Sequence, residues 1–248
     1  MNDLIVTLQE DLERALGKTG GRRWGMLIDL RKCVGCHACT VACMSENKLP
    51  PGIVYRPVKE YEGGKYPATT RTFLPRPCMH CDKPPCLPVC PTKGKATWKE
   101  TKGLSAGLVK IDYKECIGCA ACVPACPYGA RAMDEGRYYR GSKGEAHEAY
   151  ETGAAFEYGV QVKRKEDEGP IGNVRKCHFC VHRLAEGMLP QCVTTCIGRA
   201  TLFGDLDDPS SEIAKLIKSN KVQTLKPKKG TKPRVFYIAA QNLEVIYG

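Results

Sequence analysis

Sixteen cysteines, all of them falling into groups of four, constrain this 248-residue chain more than any other feature. Cys33, Cys36, Cys39 and Cys43 read C-x2-C-x2-C-x3-C; Cys116, Cys119, Cys122 and Cys126 repeat that spacing, with Pro127 following. Cys78, Cys81, Cys86 and Cys90 read C-x2-C-x4-C-x3-C before Pro91, and Cys177, Cys180, Cys192 and Cys196 read C-x2-C-x11-C-x3-C. Three cysteines at i, i+3 and i+6 on a tight loop can wrap three corners of one small volume. The fourth, three residues on, points along the next helix toward a different one. Disulfide frameworks belong to small secreted scaffolds, usually under about 100 residues. Zinc uses C-x2-C half-sites, and the last quartet alone could pass for one. C-x2-C-x2-C, however, crowds three ligands into one loop, which tetrahedral zinc rarely uses.

Iron–sulfur clusters fit what remains. The run C-x2-C-x2-C-x3-C-P is the signature of bacterial two-cluster ferredoxins, whose last cysteine ligates the other cluster. Two complete runs, two variants and no cysteine left over predict four clusters with all sixteen thiols as ligands. The five histidines include four within or beside the quartets, His37, His80, His178 and His182, and one elsewhere, His147. Histidine replaces cysteine in Rieske centres; here no cysteine is missing, so these rings are expected to pack and to hydrogen-bond around the sites.

Clusters also resolve two oddities of composition. Aromatic residues make up only 7% of the chain, with five Phe and two Trp. That is a thin supply for a core of this length, and bound metal can stand in for it. The formal net charge is +11, counting cysteine as neutral. Four clusters of about −2 each bring it to roughly +3. Many lysines and arginines then neutralise the chain's own centres, and a nucleic-acid surface is not needed to explain them. Lys32, Lys114, Arg175, Lys176 and Arg199, sequence neighbours of the ligands, are expected to raise the nearest potentials.

An internal repeat gives the organisation. Ile28–Cys43 (IDLRKCVGCHACTVAC) and Ile111–Cys126 (IDYKECIGCAACVPAC) match at nine of 16 positions. The other two quartets both end C-x3-C and run on to small-residue turns, Thr92 to Thr97 and Gly198 to Thr201. The fold class is therefore α+β: two bacterial-ferredoxin-like units, each holding two 4Fe–4S clusters and pairing one regular run with one variant, with long partner-facing loops and a tail. Alternation predicts strands at Met26–Leu30 and Val109–Ile111. Leu4, Ile5, Leu8, Leu12 and Leu16 mark an amphipathic helix, either docked on a partner or packed on this chain. Ser211–Lys218 reads as a second helix capped by Ser210 or Ser211. Pro50–Pro77, with six prolines, and Ala132–Gly172 read as irregular loops. Lys226–Arg234 reads as a solvated basic loop, and Arg234–Tyr247 as a strand or a tail laid on another surface.

No stretch is long and apolar enough to span a membrane; Val235–Ala240 is six residues against the roughly 20 required. The acidic N-terminus is unlike a secretory signal, and Arg22-Arg23 resembles a twin-arginine signal only as a pair. No G-x-G-x-x-G after a strand, no H-E-x-x-H and no spare cysteine nucleophile is present, so catalysis is expected on a partner.

The order of the quartets, with the stretch CVTTCIGRATLFGDLDDP (Cys192–Pro209), resembles the iron–sulfur subunit of the dimethyl sulfoxide reductase family of molybdenum or tungsten oxidoreductases, over about residues 24–207. The resemblance implies ligand sets of Cys33, Cys36, Cys39 and Cys196; Cys43, Cys177, Cys180 and Cys192; Cys78, Cys81, Cys86 and Cys126; and Cys90, Cys116, Cys119 and Cys122. One unit (75–135) is then inserted in the other (24–50 and 170–207), with an N-terminal extension (1–23) and a C-terminal tail (208–248). Some members place Trp where this chain has Cys119 and carry a 3Fe–4S cluster there; cysteine implies four 4Fe–4S clusters. The resemblance further implies electron relay between a molybdopterin catalytic subunit, on the side of the first cluster, and a membrane subunit handling quinone, on the side of the fourth. It implies association with the membrane through those partners, on the extracytoplasmic face after co-export, with a cytoplasmic site as the alternative. The competing functions are a soluble polyferredoxin serving a hydrogenase or cytosolic dehydrogenase and, more remotely, a zinc-stabilised nucleic-acid-binding protein.

Overall fold

A computed structural model describes residues 3–140, 148–165 and 169–239; His147 lies outside them. In chain order the elements are α1 (Leu4–Leu16), β1 (Trp24–Asp29), α2 (Ala38–Glu46), β2 (Val58–Lys65), β3 (Ala68–Pro75), β4 (Thr97–Lys99) and β5 (Val109–Ile111). They continue with β6 (Ala132–Met133), α3 (Ala149–Thr152), β7 (Ala155–Glu157), β8 (Val160–Val162), β9 (Val174–Arg175), α4 (Val181–Ala185) and α5 (Gln191–Thr194). The last are β10 (Thr201–Asp205), α6 (Glu212–Ser219), β11 (Val222–Gln223) and β12 (Val235–Ile238).

The largest sheet has the order β10-β1-β12-β11, with β1 antiparallel to β10 and parallel to β12. Every residue of β1 and β10 is buried, which is why Met26, Leu27 and Ile28 run on without polar interruption. Trp24 stacks on Phe203 across the pair at 5.3 Å between ring centroids. Leu8, Leu12 and Ala15 of α1 are buried in this core, so the N-terminal amphipathic face packs on its own chain. The segment read from sequence as a trailing strand supplies β12, which sits inside the sheet between β1 and β11. Residues 240–248 lie outside the described part.

Ser211 is the cap of α6: its Oγ accepts the Ala214 N–H at 3.3 Å, and its one proton is shared between the Asp205 and Asp208 carbonyls, at 2.9 and 2.8 Å. Replacing it with Ala removes the acceptor from the first turn, and an unfolding titration of the loaded chain is expected to show a loss of about 1 kcal/mol.

Pro50–Pro77 differs from the irregular loop expected. Its middle forms an antiparallel hairpin, β2–β3, paired from Val58↔Pro75 to Lys65↔Ala68. Pro57, Pro67 and Pro75 fall at the ends and turn of the ribbon, and Pro50, Pro51 and Pro77 lie outside it, positions that proline tolerates. Ala132–Gly172 likewise contains β6, paired with β9, and the β7–β8 hairpin.

The repeat has a common geometry. The two regular runs each follow a strand with an Asp at its end or just beyond it, whose Oδ1 accepts the N–H two residues on: Asp29, the last residue of β1, from Arg31 at 3.1 Å, and Asp112, the residue after β5, from Lys114 at 2.8 Å. These Asx turns reverse the chain into the cysteine loop. Within the loop Gly35 and Gly118 take φ of +67° and +68°. A Cβ at Gly118 would lie 2.4 Å from the Gly172 carbonyl oxygen, so the close approach of the 169–172 turn also requires glycine.

Candidate iron–sulfur centres

The structure places the sixteen thiols in four groups. One cavity is lined by Cys33, Cys36, Cys39 and Cys196, a second by Cys43, Cys177, Cys180 and Cys192, and another by Cys90, Cys116, Cys119 and Cys122. Cys78, Cys81, Cys86 and Cys126 make the remaining group: burial, then Cys78, pushes the Cys81 thiol up to about 12, and burial, then Cys78, also raises Cys126. In each group the fourth member of one run joins three cysteines of another.

Local structure explains the crossing. Cys43 is buried on α2, whereas Cys33, Cys36 and Cys39 belong to the loop and first turn before it. One turn of helix carries the last side chain away from the first three. Cys196 follows α5 as Cys43 follows the start of α2, and it returns to the first loop.

Such a site suits a cluster. All donors are sulfur, and burial raises the Cys43, Cys177, Cys180 and Cys192 thiols above their ordinary range. Four thiolates brought together there require compensating positive charge, which metal supplies. In three of the groups four thiols ring an open space. A 4Fe–4S cluster bound in such a space supplies reversible one-electron storage.

Backbone and side chains reach the last sulfur of each run. Ala130 N–H and Ala200 N–H point to Cys126 Sγ and Cys196 Sγ at 3.5 and 3.2 Å, in equivalent turns. Thr92 Oγ1 lies 3.2 Å from Cys90 Sγ, and Asn47 Nδ2 reaches Cys43 Sγ at 3.5 Å. These contacts favour the thiolate and, with burial, help set cluster potentials. His80 accepts the Val109 N–H at Nδ1, 3.1 Å, so its proton is on Nε2, which donates to the Cys177 carbonyl at 3.1 Å. Burial, then the Lys176 ammonium, holds that ring well below the usual histidine range. His182 pairs with Glu46 at 2.7 Å. His178 accepts the Val181 N–H at 3.3 Å.

Two of the cations expected from sequence to act on the clusters are held by carboxylates. Arg175 is neutralised by Asp134 and Glu157, and Arg199 pairs with Asp3. Lys32 lines the first cavity and Lys176 is fully buried, its Nζ on the Cys177 carbonyl at 2.9 Å. Two buried guanidiniums that sequence reasoning missed, Arg56 and Arg131, line the second and fourth cavities. Burial opposes their charge, but the surrounding thiols outweigh it and hold both above the ordinary arginine range.

The groups also follow one another. Cys192 feels Cys39 of the first group, and Cys177 feels Cys78 of the third. Arg131 feels both Cys86 and Cys122, of the third and fourth.

Two 4Fe–4S dicluster domain models match residues 69–141 and 108–197, and a 4Fe–4S binding domain model matches residues 24–45. The chain is similar to a selenate reductase subunit from Mesobacillus selenatarsenatis, 53% identical over 238 residues, which are 96% of this chain and 79% of the relative. It is also similar to a tetrathionate reductase subunit from Salmonella typhimurium (40%; 87% of this chain, 72% of the relative). With the arsenate respiratory reductase iron–sulfur subunit of a Shewanella species it shares 38%, over 91% of this chain and the whole of the relative. The chain belongs to the iron–sulfur subunits of the dimethyl sulfoxide reductase family of molybdopterin oxidoreductases. As such a subunit it carries four 4Fe–4S clusters on two ferredoxin-like units and transfers electrons for a molybdopterin-bearing catalytic subunit, within a membrane-associated respiratory complex. No helix among the described residues is long and apolar enough to cross a membrane.

Proposed function

We propose that the four thiol groups are the ligand sets of the four clusters, numbered one to four in the order Cys36, Cys43, Cys81 and Cys119, and that electrons enter at cluster four and leave at cluster one. The supporting observation is the distribution of exposure. Cys36 and Cys119, in the first and fourth groups, are exposed, while every cysteine of the second group is buried, as are Cys81 and Cys86 in the third. Both open groups carry exposed apolar side chains. Val34, Val41 and Ile197 are 61, 65 and 68% exposed beside the first, and Ile117 is 67% exposed beside the fourth. Apolar patches around a redox centre suit partner docking. A series open at both ends and closed in the middle is what a relay between two partners needs. The first end faces the molybdopterin subunit and the fourth the quinol-oxidising membrane subunit.

The three relatives are named for reductases of selenate, tetrathionate and arsenate, all oxyanions. The catalytic partner is accordingly an oxyanion reductase, with selenate the first substrate to try. The complex is placed on the outer face of the membrane, exported folded with a signal-bearing partner; protease cleavage in intact spheroplasts tests that. Anaerobic purification is expected to give about 16 iron and 16 acid-labile sulfide per chain, with molybdenum or tungsten on a large companion. Reduced quinol analogue should then support selenate reduction. Full iron with no companion would favour the polyferredoxin, and about 14 to 15 iron with a 3Fe signal would overturn the fourth set.

A further inference from the structure

Each ferredoxin-like unit holds one buried arginine between its two thiol groups, and the two are built alike. Arg56 lines the second cavity, and its Nη2 donates at 2.7 Å to Thr201 Oγ1, which lines the first. Arg131 lines the fourth cavity, lies electrostatically against Cys86 of the third group, and donates from Nη2 at 3.0 Å to Thr97 Oγ1. The two threonines occupy equivalent places in the repeat, after the alanines that close the small-residue turns, Ala200-Thr201 and Ala96-Thr97. The same device has therefore been installed once per unit. Neither arginine has a carboxylate partner among the described residues. Arg175 and Arg234 have theirs in Asp134 and Glu157 and in Asp82. Arg56 Nε is buried with no hydrogen-bond partner. A buried guanidinium keeps its proton, and leaving it unpaired is costly. The anionic counterpart that would offset the cost is the pair of clusters on either side.

We propose that Arg56 and Arg131 set the potentials of the relay, each raising the reduction potentials of both clusters in its own unit. Reduction adds one electron, and so one negative charge, to a centre that each guanidinium faces from a fixed position. A cation held in a weakly screened interior stabilises the reduced form over the oxidised one. Sharing one cation between two centres raises both together, so the step within a unit stays nearly level. Both residues are positioning residues: they act on the clusters through charge and carry no electron. The inference rests on the ligand sets proposed above.

The test is a redox titration of the purified complex followed by electron paramagnetic resonance, with iron and sulfide counted in each preparation. Cys36→Ser and Cys119→Ser first identify the signals of clusters one and four. Arg56→Gln is expected to shift the cluster-one signal to more negative potential and leave cluster four in place; Arg131→Gln is expected to do the reverse. Unmoved potentials in fully loaded variants overturn the proposal. A shift in the cluster of the other unit overturns the ligand sets, and with them the assignment of each arginine to its unit. Should Arg56→Gln fall short of the wild-type iron count, Arg56→Lys, which keeps the charge and loses the fork, takes its place. Wild-type potentials there support the proposal, and a negative shift overturns it.

Discussion

Stripped of iron and sulfide, the chain loses its cooperative fold. Cys43, Cys81, Cys177 and Cys192 are members of the main buried core alongside Leu, Ile and Phe side chains, and the thiols of three groups ring open cavities. Beyond the four-stranded sheet, strand pairing consists of two-stranded ribbons, three of them only two or three residues long, which do not stand alone in water. Single structural metal sites contribute roughly 10–16 kcal/mol of apparent binding free energy. A whole domain's net stability is about 5–15 kcal/mol. Losing four cluster sites therefore removes more than the margin by which a domain of this kind stays folded. Anaerobic chelation should abolish the sigmoidal urea transition and open the segments between the quartets to protease. An apo chain that kept a cooperative transition and a near-ultraviolet dichroism signal would show that the protein part is sufficient.

Arg175→Met should cost about 3–5 kcal/mol, read as a drop in the urea midpoint of the loaded chain. Arg175 is buried and gives Nη1 to Asp134 at 3.0 Å, Nη2 to Glu157 and Nε to the Tyr55 hydroxyl at 3.1 Å. Asp134 and Glu157 are equally buried. The guanidinium thus joins three stretches of chain: the approach to β2, the end of β6 and the β7–β8 hairpin. Without it Glu157 keeps a Tyr55 hydroxyl at 3.0 Å and a histidine nitrogen at 3.7 Å, too little for a carboxylate removed from water. Asp134 retains Arg164 at 2.7 Å. The exposed pair Arg71–Glu60 is the control, because a solvent-screened bridge is worth less than about 1 kcal/mol. Equal effects at Arg71→Met and Arg175→Met would refute the argument from burial.

The contrast between Arg175 and Arg56 also marks what the sequence could reveal. The cysteine runs are local, so their spacing, the Asp lead-ins at Asp29 and Asp112 and the Ser211 cap were legible from neighbouring residues. Arg175 and Lys176 drew attention because they touch a ligand in sequence. Arg56 lies 13 residues beyond Cys43, inside a proline-rich stretch, and only the folding of that stretch over the outer unit brings it between two thiol groups. Sequence distance likewise hid the place of β12, since strand pairing is set by tertiary contact and not by the strand's own residues. The β2–β3 hairpin was masked by its prolines, which look disruptive in a count but sit where pairing begins, turns and ends. The family resemblance supplied the crossed ligand sets, which spacing alone suggested only in outline.

The proposed nesting of the two units has a consequence for how the protein is made. A ribosome delivers residues 78–126 as one unbroken stretch, so every proposed ligand of clusters three and four emerges while the outer unit is half synthesised. Clusters one and two wait for Cys177 to Cys196, and the sheet behind them waits longer, because β1 can be flanked on both sides only after β10 and then β12 have left the exit tunnel. On the proposed ligand sets the inner ligands are therefore complete before the outer ones, and β12, the last strand among the described residues, is the one that pairs with β1 near the start of the chain.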